Sequence, residues 1–314
     1  VTFQIREATA GDAPGVRRLF ERVFGIEMPA EEWRWKFERD PDGWFGIVAV
    51  LDGEIVGNYA GWAMRFLLKG AEGILYSVGD VATDPAVRAL GGRRGVYRSM
   101  AGAFYEAVGS RGVPFCFGFP NARALEASHR LVGSRTLFPV RERLVPCEAF
   151  PPPPPDAGAG DFVTETFDPL WTAASGFLVE AAVRDRARAN WRFHARPTRY
   201  YRMVWRETAG RTRTWAVLSV VGENALVADY LGERPDGSDL PALFAAAAGE
   251  AARMGARRLV FWETPGGPGA GIVSRLPGER REAGFSLIVR TLEDEAAVEF
   301  ARSVHLVPAL YDVI

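Results

Sequence analysis

The sequence predicts an α/β protein with a mixed, largely antiparallel sheet flanked by helices, in two tandem copies. Three observations predict it. The first half reads β-α-α-β-β-β-loop-α-β-α-β from its apolar periodicity and turn residues. Within it, Leu75 to Val108 runs from an apolar strand (Leu75, Val78, Val81) through a glycine- and arginine-rich loop into a helix from about Val96. The second half repeats the plan in weaker form, by order of elements and not by residue identity. A chain of 314 residues favours two domains of roughly 150 residues each. The expected division is 1–150, a Pro/Gly linker at 151–160, and 161–314.

The elements follow in order. Phe3 to Ala8 alternates and reads as a strand. Asp12 to Phe24 places Val16, Leu19, Phe20 and Val23 at helical spacing. Glu31 to Arg39 reads as a second helix carrying Trp33, Trp35 and Phe37. Asp52-Gly53 is a hairpin signal between strands Phe45 to Leu51 and Glu54 to Phe66. The strand from Leu75, the glycine loop and a helix to about Val108 come next. Val113 to Phe119 is a strand. Pro120-Asn121 turns into a helix from Ala122 to Leu131 that Gly133 stops. Thr136 to Val145 is a strand. Pro151 to Pro155 is an unbroken proline run with a Gly/Ala tail, which favours a stiff linker ending in a loose one.

In the second half, Leu170 to Arg188 reads as a helix. Tyr200 to Arg206, Arg213 to Val221 and Ala225 to Leu231 read as strands. Leu240 to Met254 is an alanine-rich helix, Arg257 to Glu263 a strand, and Phe285 to Arg290 another.

Composition narrows the function. A net charge of −1 supplies no global field to recruit nucleic acid or an anionic membrane. No apolar run approaches the length needed to span a bilayer, and the first residues start as a strand without a signal-peptide layout. Cys116 and Cys147 are too few for a disulfide scaffold, and neither sits in a metal-ligand cluster. The expectation is a cytoplasmic protein without a metal. Lys36 and Lys69 are the only lysines, which reads as codon bias.

Gly91, Gly92, Arg93, Arg94, Gly95 and Val96 form the strongest chemical signal. Glycines let backbone N–H groups approach an anion, and the helix start adds partial positive charge. That combination suits a diphosphate and points to a phosphate-bearing cofactor. A surface loop with solvated arginines is the plainer alternative.

Further motifs carry a resemblance. Ile5-Arg6-Glu7-Ala8 opens the first strand, and Asp52-Gly53-Glu54-Ile55-Val56-Gly57 spans the hairpin. Gly79-Asp80-Val81-Ala82-Thr83-Asp84-Pro85 runs toward the glycine loop. Gly118-Phe119-Pro120-Asn121 and His129-Arg130-Leu131-Val132-Gly133 close the set. In this order they resemble the GNAT (GCN5-related N-acetyltransferase) superfamily over about residues 3 to 145. The second half looks like a degenerate further copy, as in tandem members. The loop departs from the family pattern Arg/Gln-x-x-Gly-x-Gly/Ala. With Gly95 as the central glycine, Gly92 stands at the Arg/Gln position. With Gly91 central, Arg88 fills that position and Arg93 takes the last small one.

The resemblance implies an N-acyltransferase that moves an acyl group, acetyl as the expected one, from acetyl-CoA or another acyl-CoA to an amine by direct attack. The fourth and fifth strands would splay to admit the pantetheine arm, with Val78, Val81 and Ala82 beside it. Gly91 to Val96 would hold the pyrophosphate, and Asn121 would complete the cofactor site. Asp80 is the candidate base, or else a structural carboxylate. His129 is the candidate acid for the departing thiolate, or else a surface histidine. Trp33, Trp35 and Glu38 would wall an amine site, or else fill core. The Gly232 to Asp239 loop carries three carboxylates and no glycine cradle, so the second copy is expected not to bind acyl-CoA.

Two other functions stay open. One is a non-catalytic acyl-CoA-binding or interaction module. The other is an aminoacyl-tRNA-dependent transferase of the peptidoglycan-bridge type, against which the charge balance counts. The acceptor, a small-molecule or protein amine, and the oligomeric state are not legible.

Overall fold

The computed structural model describes residues 3–88, 95–161, 165–291 and 294–310. In chain order the elements are β1 (Gln4–Glu7), α1 (Ala13–Phe24), α2 (Ala30–Trp33), β2 (Trp44–Leu51), β3 (Glu54–Leu68), β4 (Ala71–Thr83), α3 (Val96–Gly109), β5 (Phe115–Gly118), α4 (Ala122–Val132), β6 (Arg135–Pro146) and β7 (Ala157–Gly160). They continue with α5 (Asp168–Ser175), β8 (Glu180–Ala182), α6 (Arg186–Ala189), β9 (Arg202–Thr208), β10 (Arg211–Val221), β11 (Asn224–Gly232), α7 (Leu240–Arg253), β12 (Arg258–Trp262), α8 (Ala270–Val273), β13 (Glu279–Thr291) and α9 (Asp294–Ser303).

The chain forms two compact units that are not contiguous in sequence. The first comprises 1–64, 74–138 and 285–297, and the second 65–73, 139–284 and 298–314. The expected cut at the proline run differs from this in three ways. The boundary falls inside β6, the end of β3 with its turn belongs to the second unit, and the end of β13 belongs to the first. Strand pairing is the physical reason. Ile288 to Thr291 pair with Phe115 to Gly118, and Phe66 to Leu68 pair with β8, so hydrogen bonds override chain order.

In the first unit the strand order is β1-β2-β3-β4-β5-β13, antiparallel except for β4 beside β5. Asp52 and Gly53 both take positive φ (50° and 81°), as the hairpin signal requires. Met100, Phe104 and Val108 on one face of α3 pack on Tyr59, Tyr76 and Phe45 of the sheet. On another cluster, Val16, Leu19 and Phe20 of α1 pack with Val48, Ile55 and Trp62. Gly133 closes α4 in the left-handed conformation, as expected.

In the second unit the order is β6-β12-β11-β10-β9-β7. The helix expected over Leu170 to Arg188 is instead α5, β8 and α6. Gly176 interrupts the apolar run, and Glu180–Ala182 is claimed by pairing with β3. The expected loose linker is structured too. Ala157 to Gly160 pair with β9 as strand β7, and Gly158 lies on the Trp205 indole, where a Cβ would stand 2.8 Å from the ring. Pro153 sits against Gly249 of α7.

The tandem plan is visible inside each unit taken alone. β4 and β5 are parallel strands joined through α3, and β11 and β12 are parallel strands joined through α7. Two four-residue helices, α2 and α6, each run into one π-helical turn, Arg34–Glu38 and Asn190–His194. Those turns carry Trp35-Lys36-Phe37 and Trp191-Arg192-Phe193 at matching places, each followed by a proline (Pro41, Pro197) at the same spacing.

Candidate acyl-transfer site

The site is built on β4. Its parallel register with β5 pairs Tyr76 with Cys116 and Ser77 with Phe117, and goes no further. β4 continues to Thr83 while β5 ends at Gly118, so the two strands part beyond Ser77. Val78 and Val81 are partly buried against the first unit's core and Ala82 is buried. The parallel register thus ends before Val78, Val81 and Ala82, the residues expected beside a pantetheine arm.

Asp80 lies in that parted segment with φ at 50°, a left-handed conformation that a non-glycine residue adopts at a cost of about 1–3 kcal/mol. The Asn58 side-chain amide donates to the Asp80 carbonyl at 2.8 Å and holds the kink. A strained residue so held is redirected from the alternation of its strand. The Asp80 carboxylate meets the Lys36 ammonium at 2.6 Å. The ammonium also sits 4.4 Å from the centroid of the Trp62 ring and 5.5 Å from that of Phe37. Phe37 contacts Trp33 (4.2 Å between centroids) and Trp44 (5.1 Å), which completes an aromatic box. Gly79 is part of this arrangement, because a Cβ there would stand 2.6 Å from the Trp62 ring.

Lys36 was not among the residues expected here. One of only two lysines among 38 basic residues, it reads as background until the fold places it. Its recurrence as Arg192 in the second Trp-cation-Phe motif is the signal that could have found it.

The aromatic residues expected to wall an acceptor pocket are core instead. Trp33 and Trp35 are both buried, Trp33 in one cluster with Phe37 and Trp62. Glu38 is exposed and does not share the face of Trp35, because the segment is a π-helical turn and the three-residue spacing of an α-helix does not apply.

His129 lies exposed in the last turn of α4, its Nε2 3.0 Å from the Thr136 hydroxyl. Asp80 and His129 thus rest against different partners. Asn121 caps α4, its side chain accepting from the Ala124 N–H at 3.0 Å, and its backbone bridges to Phe285. Gly91, Gly92, Arg93 and Arg94 lie outside the described residues. Gly95 and Val96 open α3, whose N-cap is Gly95 with no side-chain cap bond. Before the loop, Asp84 accepts from the Ala86 N–H and pairs with Arg22. Its carboxyl is held below the usual range by that backbone bond first and by Arg22 second.

The corresponding loop of the second unit is filled from within. Asp239 accepts from the Glu233 N–H at 2.8 Å and from the Arg234 N–H at 3.3 Å. The carboxylate thus occupies backbone donors that an anion would need. Cys116 is buried, and burial pushes its thiol up to about 12; neither it nor Cys147 forms a disulfide. Among the described residues no cluster of three His, Cys, Asp or Glu could hold a metal, and no helix is long and apolar enough to cross a membrane.

Known proteins match this geometry. The profile of the acetyltransferase (GNAT) domain matches residues 4–139. A probable N-acyltransferase of Enterococcus faecalis aligns at TM-score 0.69 and 11% identity, over 94% of this chain and 74% of that one. A GCN5-related N-acetyltransferase of Anabaena variabilis aligns at 0.69 and 12%, over 95% and 75%. The N-myristoyltransferase of Saccharomyces cerevisiae, solved with bound myristoyl-CoA, aligns at 0.57 and 8%, over 91% and 82%. These likenesses show the fold. No curated protein sequence matches the chain.

Proposed function

We propose, from the match of residues 4–139 to the acetyltransferase (GNAT) domain, that this protein transfers an acyl group from acyl-CoA to an amine, with acetyl-CoA as donor. The observation that carries the reading is the parting of β4 from β5 beyond Ser77, with α3 opening at Val96. The parted strand edge offers backbone groups to an extended pantetheine arm, as an added strand would use them. The α3 N-terminus supplies partial positive charge for a diphosphate, together with the loop Gly91 to Gly95.

In this reading an acyl thioester lies beside the Asp80 kink. Attack by an amine needs a proton acceptor, and Asp80 is the proposed one. The N–H of Val81 is the proposed oxyanion donor. His129 is the proposed acid for the thiolate. The acceptor is a small-molecule or protein amine, and the site of action is the cytoplasm.

A second reading is a module that binds acyl-CoA without turning it over. The Lys36–Asp80 pair favours it, since the carboxylate proposed as base already faces a cation.

Calorimetric titration with acetyl-CoA, beside a Gly92→Asp variant, tests the donor site. The expected result is micromolar binding that the variant loses. Thiol release over a panel of amines then separates the two readings: release supports transfer, and binding without release supports the module. Absence of binding by the unaltered protein overturns both.

A further inference from the structure

We propose that Lys36 is itself an acyl acceptor, so that the protein acylates its own site; this rests on the acyl-CoA reading above. The second unit's matching motif shows which part of the arrangement is structural. There Arg192 stands where Lys36 does, and it lies close enough to Asp229 of β11 to favour that carboxylate's charge. Both units therefore place a cation from the π-helical turn near an aspartate on the strand that precedes the parallel crossover. A guanidinium serves that purpose and is never a deprotonated nucleophile in proteins. The first unit carries an amine instead, in a chain that otherwise uses arginine almost throughout.

The placement is that of a substrate. An amine acceptor needs a carboxylate at hydrogen-bond distance, an environment that excludes water, and proximity to the thioester. Lys36 has the first at 2.6 Å and the second from Trp62 and Phe37. The third follows from Asp80 lying in the parted segment of β4. Both side chains keep slight exposure (7% and 14%), so the pair is not sealed.

The step balances without a further reagent. The Lys36 ammonium gives one proton to the Asp80 carboxylate, and the amine nitrogen bonds to the thioester carbonyl carbon. The C–S bond breaks as the amide forms. The departing thiolate takes a proton from His129, the proposed acid, to leave as CoA thiol. Asp80 passes its proton to solvent, the second ammonium proton also goes to solvent, and His129 regains one from it. The product is a neutral amide beside an ionised Asp80. Acylation thereby removes the cation that faces the proposed base.

Peptide mapping by mass spectrometry of the full chain after incubation with acetyl-CoA tests this, with acetyl-CoA binding measured by calorimetry on the same preparation. Lys69, whose side chain is 63% exposed, is the internal control for solution chemistry. The expected result is one acetyl group on Lys36 and none on Lys69. Lys36→Arg, which keeps the cation, loses the label. Asp80→Asn slows labelling on the order of a hundredfold. Binding without acetyl on Lys36 overturns this inference and leaves the acyl-CoA reading standing. No binding overturns both. Equal labelling of Lys69, or a rate unchanged in Asp80→Asn, shows uncatalysed acylation and overturns the inference.

Discussion

Arg184 and Asp229 are locked together in the interior of the second unit, the arginine Nε lying 2.9 and 3.1 Å from the two carboxylate oxygens. Arg184 also donates to the Ala182 carbonyl, and Asp229 accepts from the Tyr230 N–H. Burial pushes the Asp229 carboxyl up, and the guanidinium of Arg184 opposes that shift. The first unit's Asp80 faces an amine, whereas this aspartate is held by a guanidinium from another segment of the chain. The difference makes the second pair a structural fastener.

Removing one partner should therefore be costly. Arg184→Met leaves Asp229 buried without its cation, and a loss of about 3–5 kcal/mol is expected in urea unfolding. Arg184→Met with Asp229→Asn should recover part of it, since the buried carboxylate is then neutral while Arg192 stays beside it. A single-variant loss below about 1 kcal/mol would mean that the pair contributes no more than an exposed one.

Stability should respond to pH through two groups of opposite sign. Burial raises Glu180 from 4.5 to about 7, with the Lys69 backbone bond opposing and Glu299 reinforcing the shift. The folded chain then holds a proton that the unfolded chain has released. This contribution is complete below about 4.5 and is lost as pH rises through about 7. Burial pushes His305 well below 6.5, and Arg184 adds to it. Its contribution is intact above 6.5 and is lost as pH falls below that value. Urea midpoints measured between about pH 5 and 8 should vary little for the unaltered chain. Glu180→Gln should uncover a decline toward acid, and His305→Phe a decline toward alkali. Parallel curves for all three proteins would refute both assignments.

The proline run and its Gly/Ala tail should behave as part of the second unit. A Cβ on Gly158 would stand 2.8 Å from Trp205, so Gly158→Ala should force the indole aside. The expected cost is about 1–3 kcal/mol, read as a lower urea midpoint, with Gly210→Ala in an open turn as a comparison. Because Gly210 takes φ at 70°, its own penalty is one of backbone strain and not of packing. If Gly158→Ala left the midpoint unchanged while cleavage by protease in 151–160 stayed rapid, β7 would not be a stable strand.

Local chemistry was enough to place most elements. Asp52-Gly53, Gly133 and the helical spacing of α1 and α3 act over a few residues, and the structure follows them. A divergence of β4 from β5 was expected only through family resemblance, and in the structure their register ends at Ser77. Asp80 was legible as a carboxylate on the strand that precedes the glycine loop. Its kink, set by Asn58, was not, because the two lie 22 residues apart in sequence.

The sequence by itself determined most of the local elements and the order in which strands and helices follow one another. Tertiary structure alone decided three things. It assigned the end of β13 to the first unit and the proline tail to a sheet, because strand edges pair with whatever backbone reaches them. It turned Trp33 and Trp35 into core, because tertiary packing and not local spacing decides which aromatic side chains are covered. And it brought Lys36 onto Asp80 across 44 residues of chain, a meeting that no periodicity encodes and that only the closure of a hydrophobic core enforces.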